Sequence, residues 1–333
     1  MASARAGSVT SGRPIGLIAM VGAVVSFALS TPIVKWSGET GVVVAFWRMW
    51  ASFAIWWAVI AVLRLRPSES GERRPLPTRR TWATVLPCGL LFGVNISLLF
   101  TAVTKTSIAH LEFLTALTPL VAVPASAVLF GERPDWTALR WVPISLVGIA
   151  LVLFFGPASG TATVEGDLLV LVVIFVWTGY LMTTKRARGS GVDTIDFMAC
   201  MMPLGLITAI PMALILAGDE IFDLTARGWF VVLVLSVLTG TIAHGCIAFA
   251  QQHVPIATIT VMQTAQPALA TAFAFVILSE RIRWPQAVGM VLVIVGIALF
   301  TLSAQRRPDR HRDGVETPPG SSGTERSESP RPA

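Results

Sequence analysis

"VLFGERPDW" (Val128–Trp136) ends one long apolar run on Gly-Glu-Arg-Pro, and "ILSERIRW" (Ile277–Trp284) ends another in nearly the same way. At a constant offset of 148 positions, residues 107–155 meet residues 255–303 without a gap. Ala109 meets Ala257, Pro119 meets Pro267, Glu132 meets Glu280, Arg133 meets Arg281 and Trp136 meets Trp284; "GIAL" from Gly148 meets "GIAL" from Gly296. So many identities in one register mark an internal repeat. An offset near 150 extends it more weakly, where Gly16 meets Gly166, Lys35 meets Lys185 and Gly41 meets Gly191. The motif itself reads as helix punctuation. Its Glu and Arg form a wet, charged corner, and Trp136 and Trp284 anchor the next helix at a membrane interface.

Apolar runs of membrane-crossing length surround both copies. The 333 residues are 54% hydrophobic and 13% charged, with a mean hydropathy of +0.71. A soluble domain of this size needs more polar surface. Spans are expected at 15–35, 42–63, 81–102, 107–130, 136–155, 166–185, 194–217, 228–251, 255–278 and 285–303. Each suffices to cross a hydrocarbon core about 30 Å thick. The expected fold class is therefore an all-α membrane protein of ten transmembrane helices, built as two inverted five-helix repeats. Five is odd, so the second repeat enters the bilayer from the opposite side, a construction that recurs in secondary transporters. The expected division is an N-terminal cytoplasmic segment 1–13, repeats 14–156 and 165–303, and a tail 304–333 too rich in Pro, Gly, Ser and charge to fold.

The net charge of +6 does not imply a nucleic-acid partner, because the basic residues fall between apolar runs. Arg5, Arg13, the arginines from Arg64 to Arg80, Arg133, Arg140, Lys185, Arg186 and Arg188 collect on one side. The positive-inside bias then puts both termini in the cytoplasm of a plasma membrane of bacterial inner-membrane type. Cys88, Cys200 and Cys246 lack metal-ligand spacing, so neither disulfide nor metal is expected, and no cofactor.

Ten spans, two five-helix halves, a mid-helix Pro, the helix ends "FGERPDW" and "LSERIRW" and the closing "GIAL" helix resemble the EamA-type drug/metabolite transporters. "FWRMW" (Phe46–Trp50) is similar to that family's Arg-bearing second helix, although Met198 stands at the equivalent place in the second half. The resemblance implies export or exchange of small metabolites, often amino acids.

Polar residues within spans are costly and are the candidates for function. Arg48, Asn95 and Glu112 are expected at one depth, roughly 8–11 Å below the outer boundary at 1.5 Å per residue. Arg48 and Glu112 are expected to pair, because their counterparts Met198 and Thr260 lose both charges together. Such a pair is either static or a cluster that meets a charged group on the solute. Glu112, Thr115 and Pro119, matched by Thr260, Gln263 and Pro267, follow helical spacing, and Thr118 matches Gln266. A mid-helix Pro frees a carbonyl, tolerated where a cavity re-satisfies it. Both faces are therefore assigned to a central cavity, with glue between helices as the alternative for Gln263 and Gln266. His244 and Glu112 are the proton-coupling candidates, His244 lying toward the cytoplasmic half. Trp177 and Tyr180 offer a stacking wall, and Trp47, Trp50, Trp56 and Trp57 are expected to face lipid or the membrane interface. The partners expected are a small-molecule solute and membrane lipid.

An enzyme is the competing reading. "GDEIFD" brings Asp219, Glu220 and Asp223 together with the spacing of acidic Mg²⁺–diphosphate sites, but a second such cluster is missing from the sequence. No phosphate-binding Gly loop points to ATP. A channel or scaffold is the remaining alternative.

Overall fold

The computed structural model describes residues 4–65, 74–106, 108–132, 136–155, 163–278 and 282–305, and every regular element among them is helical. In chain order these are α1 (Ala4–Ser37), α2 (Gly41–Leu65), α3 (Arg79–Lys105), α4 (Ile108–Thr115), α5 (Thr118–Phe130), α6 (Trp136–Leu139) and α7 (Val142–Phe154). The second half continues with α8 (Val164–Gly189), α9 (Thr194–Ala217), a 3₁₀ turn at Gly218–Phe222 and α10 (Ala226–Leu235). A π-helical segment (Ser236–Ala243) leads into α11 (His244–Ala250), followed by α12 (Ile256–Gln263), α13 (Gln266–Leu278) and α14 (Trp284–Gln305). Among the described residues nine stretches are long and apolar enough to cross a membrane, and Trp284–Phe300 is a shorter apolar helix. Large apolar side chains such as Val128, Leu65 and Ile215 point outward, as a lipid-facing surface requires. The chain is a multi-pass membrane protein.

Close helix crossings use glycine. A Cβ on Gly93 of α3 would lie 2.0 Å from the Gly205 carbonyl oxygen of α9. One on Gly148 of α7 would lie 2.6 Å from the Gly289 oxygen of α14. Lipid supplies no hydrophobic drive between helices, so association rests on such backbone approach.

The spans expected at 107–130 and 255–278 are each broken. Pro119 and Pro267 are the second residues of α5 and α13, so they start new helices and do not kink continuous ones. Pro cannot donate its own N–H and its ring collides with the carbonyl four residues back. At the first break that carbonyl, Thr115 O, accepts the Thr118 hydroxyl at 2.5 Å. The two breaks, between Thr115 and Thr118 and between Gln263 and Gln266, fall at the same repeat positions. The span expected at 136–155 is also interrupted, between α6 and α7, and α1 begins well before residue 15.

Three tryptophans of α2 correct the expectation that they face lipid. Trp47 Nε1 donates to Ile221 O at 2.7 Å, Trp57 Nε1 to Ala199 O at 3.0 Å and Trp56 Nε1 to Gly240 O at 3.4 Å. An indole N–H in lipid lacks an acceptor, and turning inward supplies one. Trp50 keeps an outward face.

Each end of the bundle is tied by polar contacts. At one end Lys105 pairs with Glu165, and Glu39 in the α1–α2 turn accepts from the Thr225 hydroxyl ahead of α10. At the other, Arg74 bridges Asp193 at 2.6 Å and Asp196 at 3.0 Å. There too Glu132 pairs with Lys185, and its second oxygen accepts the Ile256 N–H at the start of α12 at 3.3 Å. Glu132 is thus mostly buried between three helices and is not a wet corner. Arg133, Glu280, Arg281 and the tail lie outside the described residues.

Candidate functional site

A cavity of about 520 Å³ opens among α1, α2, α3, α4, the start of α5, α8, the π segment, the start of α11 and the broken α12–α13 helix. Its rim includes Gly38, Glu39 and Thr40 of the α1–α2 turn, and Gly38 takes φ 74°, which a Cβ would strain. The structure brings Arg48, Asn95, Glu112, Thr115, Trp177, His244, Gln263, Gln266 and Pro267 to this one cavity. Pro119 and Tyr180 do not line it. Pro119 is buried at the start of α5, where its role is to open that helix, and Tyr180 is wholly buried beneath Trp177, its ring stacked 4.9 Å away.

Arg48 is only 4% exposed. Its guanidinium donates to the Thr239 hydroxyl of the π segment and lies 5.3 Å above the Phe100 ring. The expected partner, Glu112, lines the same cavity, but the hydrogen bond of Arg48 goes to Thr239 instead. Arg48 Nε is buried without a hydrogen-bond partner among the described residues. A guanidinium has five donors, so this one retains capacity toward the cavity.

The π segment places the partner. One wide turn inserted in a helix shifts the rotational phase of the residues after it, and such turns concentrate at functional sites. Gly240 of this segment admits Ser52 of α2, whose hydroxyl lies 1.9 Å from where a Cβ would stand. That close approach holds Thr239 against Arg48.

His244 begins α11 directly after the π segment. Its ring is 2% exposed and surrounded by the rings of Phe92 at 4.6 Å, Phe27 at 5.1 Å, Trp177 at 6.0 Å and Tyr180 at 6.2 Å. Neither of its nitrogens has a hydrogen-bond partner among the described residues. The rings of His244, Phe27 and Trp177 form the floor of the cavity, backed by those of Phe92 and Tyr180. Asn95 donates to Val173 O at 3.2 Å, fixing α3 against α8 with its side-chain oxygen left as an acceptor.

Sequence reasoning missed Thr239, Phe27, Phe92 and Phe100. Apolar runs hide a floor phenylalanine among packing phenylalanines. Thr239 carried one faint signal, its place in the small, hydroxyl-rich stretch "SVLTGTIAHG". The acidic "GDEIFD" stretch forms the exposed 3₁₀ turn, and no group of His, Cys, Asp or Glu among the described residues is arranged to hold a metal ion.

Comparison with known proteins agrees with this architecture. An uncharacterized transporter of Clostridium kluyveri is 26% identical over 234 residues, covering 67% of this chain and 73% of that one. An uncharacterized transporter of Synechocystis sp. is 22% identical over 231 residues, covering 67% and 66%. A protein crystal structure shares the fold with a TM-score of 0.70 at 20% identity, over 88% of this chain and 99% of the other. The model of the EamA-like transporter family matches residues 14–154 and, a second time, 164–302. The chain belongs to the EamA-like transporter family.

Proposed function

We propose that this protein is a secondary carrier that moves a small organic solute by alternating access, and that its two halves, 14–156 and 165–303, are repeats threaded through the membrane in opposite senses. Arg48 carries the reading. A buried cation that lines a cavity of about 520 Å³ and keeps a donor without a partner among the described residues suits a solute carboxylate, since charge-assisted hydrogen bonds to guanidinium are strong. The aromatic floor suits an apolar portion of the same molecule. Amino acids and related metabolites meet both requirements. Walls contributed by both halves support a path along their seam. In this reading both termini are cytoplasmic in a plasma membrane, the cavity mouth is external, and Glu112 and His244 are the proton carriers if a pH gradient drives flux.

Counterflow of labelled amino acids and other carboxylates in proteoliposomes, with and without a pH step, tests this. Saturable exchange that disappears in Arg48→Met is expected. Non-saturable leak, or exchange indifferent to Arg48→Met, would overturn it. A pH-driven flux unchanged in both Glu112→Gln and His244→Ala would remove the proton-carrier assignment. Impermeant thiol labelling of Glu132→Cys and Glu280→Cys tests the inversion, with opposite sides expected.

A further inference from the structure

The cavity ends on the His244 floor, but the polar wall does not. On α8 the face that presents Trp177 to the cavity continues through Tyr180 and Thr184 at helical spacing, toward the end where Arg188 lies. On the facing helix the line that begins at His244 continues to Gln251. All three of Tyr180, Thr184 and Gln251 are at most 3% exposed. The Tyr180 hydroxyl, the Thr184 hydroxyl and Gln251 Oε1 have no hydrogen-bond partner of acceptable geometry among the described residues, although the Tyr180 and Thr184 hydroxyls neighbour each other and Thr184 neighbours the Cys88 thiol. Gln251 spends its amide on Leu181 O at 3.1 Å, which clamps the end of α11 to α8.

Beyond them the packing closes. Arg188 donates to Ala248 O at 2.9 Å and to Val192 O and Thr194, and Gln252 donates to Arg188 O at 3.2 Å. So a line of orphaned polar atoms, in a span where such atoms are costly, runs from the cavity floor to a tied end. Packing alone would have placed apolar groups there at no such cost.

We propose that Tyr180, Thr184 and Gln251 line the collapsed second half of the solute path, and that this line becomes wet, from the Arg188 end, when the mouth at Gly38–Thr40 shuts. This rests on the alternating-access reading. In that second state the orphaned hydroxyls gain water or solute, and the contacts of Arg188 and Gln251 between α8 and α11 are the ones that must part.

The test uses the full chain with Cys88, Cys200 and Cys246 replaced by alanine, carrying Thr184→Cys, in vesicles of each orientation. The probe is a membrane-impermeant cationic methanethiosulfonate, read by mass shift. A second chain keeps Cys200, buried in the core, as its single thiol and dry control. Labelling of Thr184→Cys from the Arg188 side, several-fold faster than Cys200, is expected. Tyr180→Phe and Thr184→Val in the native background are expected to keep or raise Tm while lowering counterflow several-fold. A purely structural role would leave flux unchanged. Counterflow that persists while Thr184→Cys is inert, or is labelled only through the mouth, overturns this inference and leaves the carrier reading standing. The same holds if both isosteric variants transport like the parent. Absence of saturable counterflow in the parent removes both.

Discussion

Arg48 carries a charge within a membrane span, and its environment explains how that is tolerated: a hydroxyl, an aromatic face and an open cavity in place of a carboxylate. Removing a buried charge that has no ionic partner among the described residues spares its desolvation. Arg48→Met is therefore expected to hold or raise Tm in detergent even as flux is lost. Because Arg48 bonds to Thr239 and not to Glu112, stability changes in Arg48→Met and Glu112→Gln are expected to add to within about 0.5 kcal/mol in a double-mutant cycle. A larger coupling would restore the direct pair. That Arg48, Glu112 and His244 mattered was legible from polar groups interrupting apolar runs. The hydroxyl opposite Arg48 was not, because it depends on a helix crossing set by Gly240 and on a π turn that leaves no mark in hydropathy.

At the scale of elements, Glu132 shows how little of a motif's work its spelling reveals. It follows the Gly131 cap of α5, pairs with Lys185 on α8 and caps α12 through the Ile256 N–H. A carboxylate at a helix N-terminus is favoured by the exposed N–H groups and the helix dipole. Glu132→Ala leaves a mostly buried ammonium and an orphan N–H, so a loss of about 1–3 kcal/mol is expected, read as a lower Tm. Gly93→Ala drives a Cβ into the Gly205 backbone, which cannot swing aside as a side chain would. A loss of about 1–3 kcal/mol or more is expected from chemical unfolding in micelles. The helix breaks before Pro119 and Pro267 were foreshadowed by the prolines themselves. The inward turn of the α2 tryptophans was not, since α2 is apolar on nearly every face and offers no amphipathic stripe from which to read its rotation.

For the whole molecule, the tie between Arg74 and α9 predicts a pH response. Partial burial opposes ionisation of Asp193, but hydrogen bonding and attraction from Arg74, with the Ile195 N–H, outweigh it and hold the carboxyl below its ordinary range. Folding is therefore favoured by this group above that ordinary range, and the contribution disappears as pH falls through the lowered value. The pair is half exposed on the Asp193 side, so its effect is at most about 1 kcal/mol. Asp193→Asn keeps the N-cap oxygen, and its Tm deficit at pH 7 should close as the pH is lowered. The repeat was legible at this scale because 107–155 and 255–303 align without gaps. The cavity's outline was not, because it depends on how far apart the halves sit. Helices α7 and α14 contribute nothing to its lining; they meet backbone to backbone at Gly148 and Gly289. This pair is a keel, locked by contact between main chains and facing the fatty acyl phase at Val147 and Val291. A fluorophore or fusion tag mounted there would sense bilayer thickness and neighbouring molecules while leaving passage of cargo untouched.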